Sequence, residues 1–219
     1  MNNNRFLTLI DKNLNHFAHL VLARSTIEST VGNLLGDFCK GVDSSALPPP
    51  IKAGLDNHRA VDRFTDTYPA IVDLKKQFSS QRRRYAGIAL DIYFDHLLIK
   101  HWEQLEQGCI QARINLCYAN IRAGQPLMPH NEMQRVTCRI VEYDWFGSYA
   151  NINNIAESLD RVANRIRFPN QFGGAIEDIL KHEKDIASAF IEFFPALKNH
   201  IQTLDLENPQ ALKPSIKAD

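Results

Sequence analysis

The stretch Tyr85-Ala-Gly-Ile-Ala-Leu-Asp91-Ile-Tyr-Phe-Asp95-His96-Leu-Leu-Ile-Lys-His-Trp102 decides the fold class. Ile88, Leu90, Ile92, Phe94, Leu97, Leu98 and Ile99 cover most sides of a helix. A helix that is apolar nearly all round is a buried one, so this stretch is expected to be the central helix of the molecule. Asp91 and Asp95 interrupt it four residues apart, which on a helix puts them on one face, one turn above the other. Two carboxylates among Ile, Leu and Phe are costly unless they are paired or bind a cation. His96 follows directly.

Outward from this stretch the pattern stays helical. His16, Phe17, Leu20 and Leu22 recur at spacings near three and four, as do Val31, Leu34, Leu35 and Phe38. Ser29 or Thr30 is the expected cap of that second helix, and Gly41 its stop. Leu47-Pro48-Pro49-Pro50 is a rigid connection, and a helix is expected from Pro50 or Ile51 to about Thr65. Asp66-Thr67-Tyr68-Pro69 breaks the chain before a short amphipathic helix from Ala70 to Phe78. Residues 103–135 hold further helix and a loop at 124–129. Residues 136–167 and 173–200 read as two long helices either side of Phe168-Pro169-Asn170. Sustained period-two alternation is absent. The expectation is an all-α fold, a compact multi-helix bundle, with one domain over 15–204, an N-terminal extension over 1–14 and a flexible tail over 205–219.

Composition narrows the function classes. Of 219 residues, 44% are hydrophobic and 23% charged, enough to bury one substantial core. Lys plus Arg and Asp plus Glu are 25 each, so no overall field recruits nucleic acid or a membrane surface. Electrostatic recognition must come from local patches, of which there are two. Arg82, Arg83 and Arg84 follow Lys75 and Lys76, and Arg161, Arg165 and Arg167 form a second stripe. Each reads either as a solvated helix surface or as a docking face for an acidic partner. Cys39, Cys109, Cys117 and Cys138 form no CxxC pair and read as reduced thiols. The first residues lack a secretory h-region, and no window approaches 18 consecutive apolar residues, so a cytoplasmic protein is expected.

Three further segments carry candidate chemistry. His58 and Asp62 are four apart and share a helix face, Asp37 lies near the end of its helix, and His16 and His19 are three apart. Imidazole with carboxylate suits Mn²⁺, Fe or Zn²⁺, whereas Mg²⁺ prefers oxygen ligands. The plainer alternative is that His58 and Asp62 are an exposed hydrogen-bonded pair and that Asp91 pairs with an arginine. His101, His130, His182 and His200 accompany no matching carboxylate pattern.

The serial order of these motifs is specific. Asn15-His-Phe-Ala-His19, Gly32-Asn33-Leu-Leu-Gly-Asp37-Phe38, His58-Arg59-Ala-Val-Asp62 and Leu90-Asp91-Ile-Tyr-Phe-Asp95-His96, with Trp102, resemble the acyl carrier protein phosphodiesterase family over roughly residues 15–200. The resemblance implies an HD-domain-like helical enzyme, dependent on a divalent metal, with Mn²⁺ as the usual ion and Mg²⁺ as a substitute. It implies hydrolysis of the phosphodiester joining 4′-phosphopantetheine to a serine of holo-acyl carrier protein, within lipid metabolism and fatty acid biosynthesis. By resemblance Asp37, His58, Asp62, Arg59 and His19 are the catalytic candidates. Asp37, His58, Asp91, Asp95 and His96 are the metal candidates. The His-Asp doublet typical of the superfamily is met only as the reversed Asp95-His96. Acyl carrier proteins are acidic, so Arg82, Arg83, Arg84, Arg161 and Arg165 gain weight as docking residues. Two rivals remain at this point: an HD-type phosphohydrolase acting on a nucleotide or another small phosphodiester, and a helical module that binds acyl carrier protein without cleaving it.

Overall fold

A computed structural model describes residues 16–166 and 168–210, which fold into twelve α-helices with short 3-10 turns and no strand. The helices are α1 (His16–Leu22), α2 (Ile27–Leu35), α3 (Pro49–Thr67), α4 (Pro69–Gln77), α5 (Ala86–Lys100) and α6 (Trp102–Leu105). They continue with α7 (Ile110–Gly124), α8 (Asn131–Glu142), α9 (Trp145–Ser148), α10 (Ile152–Arg165), α11 (Ile176–Lys181) and α12 (Glu183–Leu204). The fold is all-α. The extension expected at 1–14, Arg167 and residues 211–219 lie outside the described residues.

The apolar stretch is the centre, as its composition requires. Leu90, Leu97 and Leu98 are fully buried, and α5 packs against α1, α10, α11 and α12. Each such leucine contributes about 2 kcal/mol through burial. Beside this core, α2 and α3 approach unusually closely. A Cβ at Gly32 would collide with the Ile51 carbonyl and the Gly54 Cα, and one at Gly54 would press on the Ser29 carbonyl. Only a glycine pair lets the two backbones meet there. Pro49 and Pro50 begin α3, where their missing N–H groups cost nothing.

Several expected boundaries shift for local reasons. The cap of α2 is Thr26, whose hydroxyl accepts from the Ser29 N–H, rather than Ser29 or Thr30. The helix ends at Leu35 and tightens into a 3-10 turn, Gly36–Phe38, before Gly41. α3 runs on to Thr67. Residues 136–167 are not one helix. Asp144 adopts the left-handed conformation (φ 46°) and accepts from the Tyr118 hydroxyl at 2.8 Å, and that same hydroxyl accepts from the Phe146 N–H at 2.9 Å. This tie reverses the chain between α8 and α9. Residues 173–200 likewise divide at His182 into α11 and α12. The tail expected from 205 begins held down, because Glu207 is buried against α2. Among the described residues no helix is long and apolar enough to cross a membrane.

Candidate active site and metal centre

Three elements deliver five polar side chains to one place. α1 supplies His16 and His19, the 3-10 turn supplies Asp37, and α3 supplies His58 and Asp62. Asp62 lies between two imidazoles: its Oδ1 is 3.4 Å from His19 Nε2 and its Oδ2 is 3.3 Å from His58 Nε2. The two rings stack with centroids 4.0 Å apart. Asp37 Oδ2 lies 3.2 Å from His16 Nδ1, without the alignment of a hydrogen bond, and is otherwise a buried oxygen lacking a donor. Four of the five side chains are nearly inaccessible, whereas Asp62 is 34% exposed and opens the cluster to solvent.

The seat of His58 is made by an absence. A Cβ at Gly36 would occupy the space of the His58 ring. Because that ring is wedged between α1 and the turn, Gly36→Ala is expected to displace it and lower hydrolytic turnover about 100-fold, the cost of misplacing a reacting group by about an ångström. Turnover of the variant measured with a circular dichroism control for helicity checks this.

α1 has seven residues, too few to hold together as an isolated helix. It is clamped at both ends by side chains from elsewhere. Asp95 on α5 accepts at Oδ2 from the Phe17 N–H (3.1 Å) and at Oδ1 from the Ala18 N–H (2.8 Å), satisfying first-turn donors of α1. Arg113 on α7 donates from Nη2 to the Leu20 and Val21 carbonyls (2.7 and 2.9 Å) and from Nη1 to Ser25 Oγ (2.7 Å). The positive guanidinium meets the negative end of the helix dipole, and the carboxyl oxygens meet the N–H groups at its other end. Asp95, expected as a metal ligand, therefore spends both oxygens on the backbone that carries His16 and His19.

Burial pushes the Asp95 carboxyl up to about 8, and the two N–H donors keep it from rising further. The folded state then holds a proton that an unfolded carboxyl releases near pH 4, as a rough reference value. Folding binds a proton across that window, so this group's contribution to stability falls as pH rises to about 8 and levels off above. Asp95→Asn is expected to flatten that part of the slope in denaturant midpoints measured between pH 5 and 9, a range of about four units around neutrality.

The cluster separates its proton affinities. For Asp62, burial opposes ionisation, but the His19 and His58 imidazoles outweigh it and hold the carboxyl far below its usual range. Asp37 is likewise penalised by burial and held low by His16, His58 and His19. Burial lowers His19, and the neighbouring His58 lowers it further. His58 suffers the same burial, yet Asp62 and Asp37 raise it above the ordinary imidazole value. His58 thus holds a proton more tightly than His19 does.

The donor set fits a divalent transition ion. Ligand atoms of His19, His58 and Asp62 all lie within 4.8 Å of one another, so a small closure brings them onto one cation. Two imidazoles with carboxylates match Mn²⁺, Fe or Zn²⁺ better than Mg²⁺. Asp37, buried and lacking an aligned donor on Oδ2, is a further candidate ligand from the same wall.

The other expected residues have surroundings of their own. His96 Nδ1 is 2.8 Å from the Tyr149 carbonyl, and its ring stacks on Tyr93. Asp91 is half-buried on α5, near enough to Asp95 to oppose its ionisation. Arg59 is half-exposed on α3, with Nη1 3.4 Å from Asp56 Oδ1. Arg82 is used internally, donating to the Gly173 carbonyl and pairing with Glu177 at 3.1 Å, while Arg84 lies over the Tyr85 and Phe168 rings. Arg83 donates to the Phe78 carbonyl, and Arg161 to Ser158 Oγ. Arg165 is exposed on α10. His16 was not among the expected site residues; its spacing of three from His19, which puts both on neighbouring faces of α1, was the available signal. His130 also matters: it caps α8 through Nδ1 and holds the Phe38 carbonyl at 2.8 Å from Nε2, bracing the turn that carries Asp37.

The family model for acyl carrier protein phosphodiesterase matches residues 14–197, the segment that contains all three site-bearing elements. The chain belongs to the acyl carrier protein phosphodiesterase family. Curated relatives align with it over nearly their whole length. The acyl carrier protein phosphodiesterase of Yersinia pestis is 34% identical over 86% of this chain and 98% of its own. That of Photorhabdus laumondii is 31% identical over 88% and 97%. That of Escherichia coli O139:H28 is 29% identical over 84% and 95%. No solved structure shows a significant match to the chain. The family is one of enzymes, so the non-catalytic binding module gives way.

Proposed function

We propose that the protein hydrolyses holo-acyl carrier protein at the phosphodiester between 4′-phosphopantetheine and the carrier serine, giving apo-carrier and 4′-phosphopantetheine. The observation that carries this is the meeting of His19, His58 and Asp62, backed by Asp37, inside the segment matched by the family. His19, His58, Asp62 and Asp37 would hold a divalent cation, Mn²⁺ by preference and Mg²⁺ as a substitute. When bound, such a cation supplies Lewis acidity to a phosphate oxygen and acidifies a water. A ligating imidazole is neutral, so the raised proton affinity of His58 would make cation binding weaker in acid. Arg59, three residues before Asp62 and half-exposed, neutralises phosphate charge. Asp62, the open edge of the cluster, marks where the diester enters. The relationship to HD-type phosphohydrolases rests on this use of His and Asp from successive helices. A cytoplasmic setting is supported by four cysteines that are all free thiols, and a place in fatty acid biosynthesis would follow from the carrier substrate alone.

The test is incubation of the purified protein with holo-acyl carrier protein and Mn²⁺, with and without a chelator, read by intact mass of the carrier. Loss of the phosphopantetheine mass that the chelator stops is the expected result. An unchanged carrier mass alongside cleavage of a small diester would transfer the activity to a nucleotide or other small phosphodiester.

A further inference from the structure

Glu207 takes no part in the chemistry above, yet it is buried, 8% exposed, and among the described residues its oxygens accept from uncharged donors. Oε2 accepts from the Arg24 backbone N–H at 2.9 Å, and Oε1 from Ser29 Oγ and from Asn33 Nδ2 at 3.1 Å. Those donors lie on two different elements. Arg24 is in the connection that leaves α1, and Ser29 and Asn33 are on α2. Asn33 passes the contact on, since its Oδ1 accepts from Asn57 Nδ2 at 3.0 Å on α3. Asn57 immediately precedes His58.

One carboxylate thus ties the element bearing His16 and His19, the element leading into Asp37, and the element bearing His58 and Asp62. A buried carboxylate facing uncharged donors is expensive, and apolar side chains in place of the whole network would serve stability as well or better. Its cost is explained by what the network aligns. Glu207 also lies beyond residues 14–197, the part of the chain that the family model matches.

We infer that Glu207 is a positioning residue for the His19, His58 and Asp62 site, fixing the mutual placement of its three elements through Arg24 and the Asn33–Asn57 relay. This rests on the reading of that cluster as a cation site. The experiment titrates Mn²⁺ by electron paramagnetic resonance and measures kcat and KM for holo-acyl carrier protein in the full chain. Glu207→Ala is expected to weaken Mn²⁺ binding about 10- to 100-fold, the usual effect of removing an outer partner of a metal site. It is expected to lower kcat with KM for the carrier unchanged. Glu207→Gln, which keeps one acceptor oxygen, falls between. Leu197→Ala on α12, a cavity in the core away from the relay, is the control: it lowers melting temperature but leaves Mn²⁺ affinity intact. Should Glu207→Ala fail to fold, Asn57→Ala cuts the same relay at its far end, and weakened Mn²⁺ binding is again expected. Unchanged Mn²⁺ affinity in these relay variants, or an equal loss in Leu197→Ala, overturns the inference. A wild-type protein that binds no Mn²⁺ fails the cation reading itself and this inference with it. A wild type that binds Mn²⁺ beside indifferent relay variants fails the inference alone.

Discussion

Asp62→Ala is expected to lower kcat for holo-acyl carrier protein by about 10³-fold while the carrier still binds. Asp62 approaches both stacked imidazoles, at 3.4 Å from His19 and 3.3 Å from His58, and of the five it is the one that reaches solvent. Without it, His58 loses the partner that most raises its proton affinity, and the two buried rings lose the carboxylate they share. The fold is expected to survive, since the neutral rings remain packed and no backbone group loses its partner. Intact-mass turnover assays, with carrier binding followed by a fluorescent carrier, read the two effects separately. Turnover within about tenfold of wild type would remove Asp62 from the reacting centre.

The second large effect is on stability. Asp95→Ala is expected to cost about 3 kcal/mol or more, because it leaves the Phe17 and Ala18 N–H groups buried and unpaired. Urea unfolding midpoints measure this, and a loss below about 1 kcal/mol would mean that packing alone holds α1. Mn²⁺ affinity is expected to fall in parallel, since α1 carries His19. The pairing of effects distinguishes Asp95 from a ligand, whose loss would spare stability.

How far the sequence could be read depends on whether a feature is local. The burial of α5 was written in Ile, Leu and Phe at every helical angle, and the His58–Asp62 pair in a spacing of four. The break between α8 and α10 was not legible, because it depends on Asp144 reaching Tyr118, a contact across 26 positions that no periodicity encodes. Asp95 was legible as a costly buried carboxylate but not in its partner. The same burial that invites a cation also invites two backbone N–H groups, and only the approach of α1 chooses between them. The glycines show the converse: Gly36 is unremarkable as a letter and decisive as the bed of an imidazole. Arg82 and Arg84 read as free charge along the chain, and folding consumes them in holding residues 168–178.

The double clamp on α1 also bears on when the enzyme comes into being. A seven-residue helix fastened by Asp95, 78 positions from Phe17, and by Arg113, 93 positions from Leu20, has no independent existence before those partners arrive. During synthesis the segment holding His16 and His19 emerges early and stays uncommitted until the chain has been made past residue 113. Hydrolytic competence is therefore a property of the completed fold alone, and an unfinished or partly opened chain is silent toward its substrate.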